Sequence, residues 1–163
     1  MIRGEISDID WIGVDWGTSN LRAWAMSAGN EILGHAASEN GMGKLAQGEF
    51  EPALVELISN WLADGRKTPA IACGMVGARQ GWVEAPYIKA PCSPLPEKLI
   101  AAPVANPLLS VYIVPGISQE NPAEVMRGEE TQIAGFEITL FQVLKGAPTF
   151  ILAVSVQMYL AIF

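Results

Sequence analysis

Val14-Asp15-Trp16-Gly17-Thr18-Ser19-Asn20-Leu21-Arg22-Ala23-Trp24 is the stretch on which the reading of this chain turns. Trp11 to Asp15 is a short apolar run that ends in a carboxylate, and Gly17-Thr18-Ser19-Asn20 has the small residues of a tight turn. Leu21 to Met26 then alternates, with Leu21, Ala23 and Ala25 on one side and Arg22, Trp24 and Met26 on the other. A period of two is that of a strand, so the segment predicts a β-hairpin. Its turn has the chemistry of a phosphate site. Gly17 lets the backbone approach an anion closely, Thr18 and Ser19 offer hydroxyls, and turn N–H groups can form an anion-binding nest. Asp15 is placed to hold Mg2+, through water, because that ion keeps much of its hydration shell. A plain hairpin turn carrying an aspartate would show the same residues.

Outward from the hairpin, Glu31 to Ser38 can supply a third antiparallel strand. Gly48 to Ala63 predicts a helix, because Phe50, Leu54, Leu57, Ile58, Trp61 and Leu62 fall on one face while Glu51, Glu56 and Asn60 lie off it. Pro52 sits in the first turn, where it is tolerated, and Gly65 marks the end. Pro69 to Cys73 reads as a short buried strand and Leu108 to Val114 as another. Between them, Gly74 to Pro96 is a long segment of glycines, prolines and aromatics, of the kind that tends to carry function. Arg127 to Phe136 predicts a helix start, with Glu129 and Glu130 in the first turn, where negative charge is favoured.

Bulk properties narrow the classes. The chain has 163 residues, which suits one domain or a little more, and half of them are apolar, enough for a proper core. Net charge is −7 and no basic patch exceeds Arg66-Lys67, which argues against nucleic acid as a partner. Cys73, Cys92 and the lone His35 have no metal-ligand spacing, so a zinc site and Ser-His catalysis are not expected, and reduced cytoplasmic thiols are. No basic start precedes an apolar stretch at the N-terminus, so no signal peptide is expected. The apolar tail from Thr149 to Phe163 is shorter than the roughly 20 residues of a membrane helix, so no membrane partner is expected.

Two further motifs join the first. Gly74-Met75-Val76-Gly77-Ala78-Arg79-Gln80-Gly81-Trp82 follows a buried strand, a natural ligand position, and Met126-Arg127-Gly128-Glu129-Glu130-Thr131-Gln132 opens the last helix. With the hairpin motif, and in this order, they resemble the 2-dehydro-3-deoxygalactonokinase family. That family belongs to the sugar kinase, heat-shock ATPase and actin superfamily. The resemblance runs from about Asp10 to about Phe136. It implies an α/β, ribonuclease H-like domain with a mixed five-stranded sheet and flanking helices. It also implies a cytoplasmic kinase that moves the γ-phosphate of ATP, with Mg2+, to the 6-hydroxyl of 2-dehydro-3-deoxygalactonate in galactonate catabolism.

The residue roles follow the motifs. Asp15, Gly17, Thr18 and Ser19 would hold the phosphates and Mg2+, with Asp15 also serving the chemistry. Arg79 would grip the substrate carboxylate, since a guanidinium fork matches two carboxylate oxygens. Gly74, Met75, Gly77 and Trp82 would line the sugar-acid site, with Arg22 contributing from the hairpin and Gly41 and Met42 from the loop before the helix. Glu129, or Glu130 in its place, would accept the proton of the attacking hydroxyl. Simpler readings stand beside these: a solvated Arg79, a core Trp82, and helix-start charge for the two glutamates.

The resemblance implies a longer protein with a second Gly-Thr phosphate turn and an adenosine-binding domain. No such turn follows Phe136 here, so residues 1–136 are expected to form the sugar-binding and first phosphate domain. Residues 137–163 are expected to be an apolar tail, either frameshifted or a strand completing a half-molecule. Such a half, with its second domain missing, is expected to have little kinase activity and to self-associate through exposed apolar surface, possible homo-oligomers included. The rival expectation is a non-catalytic sugar-acid-binding or regulatory fragment, or an inactive gene product.

Overall fold

A computed structural model describes residues 5–93, 96–129 and 131. Nine strands and one α-helix occur among them: β1 (Trp11–Trp16), β2 (Leu21–Met26), β3 (Ile32–Ser38), α1 (Phe50–Ile58), β4 (Thr68–Cys73), β5 (Ile88–Lys89), β6 (Ile100–Ala101), β7 (Leu109–Ile113), β8 (Ile117–Glu120) and β9 (Ala123–Met126). Six strands form a mixed sheet in the order β3-β2-β1-β4-β7-β6, and three form a small sheet in the order β5-β8-β9. In the large sheet β1, β4 and β7 run parallel, while β2, β3 and β6 pair antiparallel to their neighbours.

Register explains the core. Ile12, Val14 and Trp16 of β1 stand opposite Ala25, Ala23 and Leu21 of β2. On the other side Ile12 and Val14 pair with Ala70 and Ala72 of β4, which pair in turn with Val111 and Ile113 of β7. All of these residues are buried, so the period-two pattern of four strands builds one apolar face. Four alanines in that face, Ala23, Ala25, Ala70 and Ala72, keep it shallow. The helix brings the bulk, with Phe50, Ala53, Leu54 and Ile58 buried in the same core. At about 25 cal/mol per Å2 of apolar surface, each such large side chain contributes about 1.5–3 kcal/mol.

The helix is held at its start by Glu51. Its carboxylate accepts the N–H groups of Ala105 and Asn106 at 2.6–3.0 Å, tying the connection before β7 to the first helical turn. The helix ends at Ile58 rather than at Ala63, and a 3-10 turn, Ser59–Trp61, continues it to the buried Trp61. Ser59 and Asn60 are poor helix-interior residues because their side chains compete for the backbone.

Three features differ from the sequence expectation. The main sheet has six strands rather than five, because the two-residue β6 pairs with the end of β7. A second sheet is present, whose strands are too short or too polar to show an alternating signal: Ile117-Ser118-Gln119-Glu120 buries only Ile117, and Ala123-Glu124-Val125-Met126 is largely exposed. Asn121-Pro122 between them is a turn signal. Helices flanking the sheet reduce to α1 among the described residues. Glu129 and Thr131 are helical, whereas the rest of the helix expected to Phe136 and the tail from Glu137 lie outside the described residues.

Candidate active site

The turn between β1 and β2 is closed by Gly17 N–H donating to the Asn20 carbonyl at 3.0 Å. That spends one amide of the turn. The amides and hydroxyls of Thr18 and Ser19 make no hydrogen bond among the described residues, and both side chains are exposed. Asp15 is the last outward-facing residue of β1, on the sheet face opposite the core. Its Oδ2 lies 3.2 Å from Arg22 Nη1, its cross-strand partner. The turn thus presents free donors, one carboxylate and one guanidinium side by side.

The loop after β3 is fastened to this turn. Met42 N–H donates to the Gly17 carbonyl and Gly43 N–H to the Thr18 carbonyl, both at 2.9 Å. Gly41 is buried against the turn backbone: a Cβ there would fall 2.5 Å from Asn20 N and closer still to the Ser19 carbonyl carbon and Thr18 oxygen. Met42 is buried in the core. Gly41 and Met42 therefore set the back of the β1–β2 turn.

The second motif follows β4, the parallel neighbour of β1, so both turns emerge at the same edge of the sheet. Gly74 has φ +95, and a Cβ on it would meet the Trp16 carbonyl oxygen at 2.8 Å and Asp15 Oδ1 at 3.6 Å. Met75 begins a 3-10 turn, Met75–Gly77, and is partly buried against the core. Trp82 is 8% exposed. It stacks on Phe50, with centroids 6.2 Å apart, and meets Trp16 edge-on at 6.0 Å. Its role in packing is therefore visible. Arg79 is exposed at the tip of this loop, with no hydrogen bond or ion pair among the described residues. Gln47 Nε2 donates to the Gly81 carbonyl at 2.7 Å and braces the loop from the side.

The third motif closes on the second. Gly128, with φ +111, lies so near Gly74 that a Cβ would meet the Gly74 Cα at 3.2 Å. Asp15, Gly74 and Gly128 thus form a continuous line of contact, and the three motifs meet at one place. Glu129 is exposed, and its Oε2 accepts the Arg127 N–H at 2.9 Å. Glu130 lies outside the described residues. The sequence places Arg127 in the third motif and Tyr87 in the long loop but assigns neither a role in the chemistry. Arg127 is 8% exposed, its guanidinium 4.2 Å over the Tyr87 ring, with Nη2 on the Ala85 carbonyl at 2.8 Å and Nε on Tyr87 Oη at 3.3 Å. A charged residue between Met126 and Gly128 carries no local sign of burial, because its partners lie about 40 residues earlier.

The family profile of 2-keto-3-deoxy-galactonokinase matches residues 15–152, most of the chain. The chain belongs to that family. It is 37% identical over 129 residues to 2-dehydro-3-deoxygalactonokinase of Escherichia coli. It is 36% identical over 127 residues to a candidate 2-dehydro-3-deoxygalactonokinase of Rhizobium meliloti. Each match covers 77% of this chain and 41% of the relative. A crystal structure of a candidate 2-dehydro-3-deoxygalactonokinase from Sinorhizobium meliloti superposes with a TM-score of 0.70 at 34% identity, over 79% of this chain and 43% of that one. The chain therefore spans about two fifths of the length of these relatives, as an N-terminal part would. The family is one of kinases, which use ATP.

Proposed function

We propose that this 2-keto-3-deoxy-galactonokinase family chain forms the sugar-acid-binding and first phosphate domain of a kinase. That kinase phosphorylates the 6-hydroxyl of 2-dehydro-3-deoxygalactonate. The single observation that carries the reading is the contact line Asp15–Gly74–Gly128, which brings the three motifs to one edge of the sheet. In this reading residues 1–136 make the domain, of ribonuclease H-like type and cytoplasmic. The strand order β3-β2-β1-β4-β7, with β1–β3 antiparallel and β4 and β7 parallel to β1, supports the fold type.

The donor set suits a metal–nucleotide rather than a bare ion. No group of three or more His, Cys, Asp or Glu side chains that could hold a metal occurs among the described residues. Mg2+ needs only one or two carboxylates when phosphates and water fill the remaining positions, and Asp15 supplies one. Bound ATP supplies the phosphoryl group. Thr18 and Ser19 offer it their free N–H and hydroxyl groups, while Gly41 and Met42 keep the turn in shape. Arg79 takes the sugar-acid carboxylate with its fork. Glu129, or Glu130, accepts the hydroxyl proton; Glu129 keeps Oε2 on the Arg127 amide and offers Oε1. The Gly74 turn lets the sugar approach the backbone, while Gly77 packs against Arg127, Ile113 and Ala85 and supports the loop from behind.

Phosphoryl transfer rests on groups placed on both sides of the phosphates. The relatives carry more chain than this sequence matches, and those further residues would supply the opposite side. Calorimetric titration with 2-dehydro-3-deoxygalactonate, with and without Mg2+ and ATP, should give sugar-acid binding, with ADP release followed in the same samples. Binding without turnover fits a substrate domain separated from its partner. Absence of binding would overturn the reading and leave a non-binding relative of the kinases.

A further inference from the structure

Arg127 is the most deeply buried cation among the described residues that makes no ion pair there. Withdrawing a guanidinium from water is costly unless partners replace the lost hydration. Its replacements all lie at the far end of the second-motif loop: the Ala85 carbonyl, the Tyr87 hydroxyl and the Tyr87 ring face. Nη1 has no hydrogen-bond partner and presses on Gly77, where a Cβ would come within 2.7 Å of it. The same residue's main-chain N–H holds the Glu129 carboxylate. The next residue, Gly128, rests on Gly74.

One residue therefore touches the loop that carries Arg79 at two points, Gly77 and Ala85–Tyr87, and fixes the Glu129 carboxylate. We propose that Arg127 is a positioning residue. It holds the Gly74–Tyr87 loop and Glu129 in one frame, so that the grip on the sugar acid and the proton-accepting carboxylate are set together. This rests on the roles given above to Arg79 and Glu129. A planar fork stacked on a ring is required, and an ammonium at the end of a flexible chain does not reproduce it.

The test uses the whole chain, as wild type, Arg127→Lys, Arg127→Met and Tyr87→Ala. Amide exchange is followed at Trp82 and Ala85, bonded to Val76 and Gly77, and at Thr131, bonded to Gly128. Affinity for 2-dehydro-3-deoxygalactonate is measured by calorimetry at a temperature where every variant is folded. Exchange at all three amides should accelerate by about tenfold or more in both Arg127 variants, and affinity should fall by about tenfold or more. Tyr87→Ala, which removes the stack from the other side, should reproduce both effects and stands in if an Arg127 variant does not fold. A lowered unfolding midpoint with unchanged affinity would make Arg127 merely structural and overturn the inference. If the wild type binds no sugar acid, the assignment of the site fails first and the positioning role falls with it.

Discussion

Arg22 Nη1 sits 3.2 Å from Asp15 Oδ2, across the β1–β2 ladder beside the turn that joins the two strands. The two side chains are 52% and 34% exposed, so the pair lies in high dielectric. Such pairs contribute about 0–1 kcal/mol. Arg22→Ala and Asp15→Asn should each change stability by no more than about 1 kcal/mol in urea unfolding. Their effect on nucleotide should differ. In the proposed reading Asp15 is the carboxylate that would order the cation, so Asp15→Asn should abolish the Mg2+ dependence of ATP binding. Arg22→Ala should leave that dependence intact and lower affinity modestly. Equal effects from both would mean that the pair, not the carboxylate, organises the turn.

Gly41 is the residue on which the shape of that turn depends. Its φ of −67 is ordinary, so no backbone strain is involved and the constraint is steric. A methyl group there would overlap the backbone of Ser19 and Asn20, which cannot swing aside as a side-chain end would. Gly41→Ala should therefore cost about 2–4 kcal/mol, as overpacking does when the neighbour is rigid, and should break the Met42–Gly17 and Gly43–Thr18 hydrogen bonds. Gly43→Ala is the control. Its Cβ would meet the Thr18 methyl at 3.0 Å and the Thr18 oxygen at 3.1 Å, so a smaller loss is expected.

The hairpin, the parallel strand after the helix and the strand 109–113 were legible because alternation and helical spacing arise from the same one-sided burial that stabilises them. Trp11–Trp16 and Leu21–Met26 fall within a residue of their predicted bounds. The small sheet was not legible, because Ile88-Lys89 and Ala123–Met126 bury little and carry no periodic signal. At the site, glycines at 17, 74, 77 and 81 are readable as close-approach positions; a Cβ would meet other atoms within 3.0 Å at 74, 77 and 81, but nothing nearer than 3.8 Å at 17. The sequence could not show that Gly41 packs on Ser19, or that Arg127 reaches Ala85 and Tyr87, because those contacts are made by topology rather than by neighbours in the chain.

Trp82 belongs to a three-ring cluster with Trp16 and Phe50, and Trp16 is itself anchored by its indole N–H on the Asn40 carbonyl at 2.9 Å. Removing a buried indole costs about 3–5 kcal/mol, so Trp82→Ala should destabilise the domain by that amount. Trp82→Phe keeps a ring against Phe50 and should cost less while preserving sugar-acid affinity. If Trp82→Phe folds normally and loses the sugar acid, the indole walls the pocket as well as the core.

Arg79 makes the sharpest contrast with these packed residues. It is exposed and unpaired among the described residues, so Arg79→Ala should change stability by no more than about 0.5 kcal/mol. An arginine held at a loop tip without an internal partner is free to meet an anion. Hydrogen bonds to a charged group contribute about 1.5–3 kcal/mol, so if Arg79 grips the carboxylate as proposed, its loss should weaken sugar-acid binding by about 10- to 150-fold. In a full-length relative the same substitution should raise KM for the sugar acid far more than it lowers kcat, since the carboxylate is remote from the attacking hydroxyl. An unchanged KM would remove Arg79 from the site. Gln47→Ala separates placement from contact: it leaves Arg79 in place but removes the 2.7 Å brace on Gly81, and should produce a smaller rise in KM.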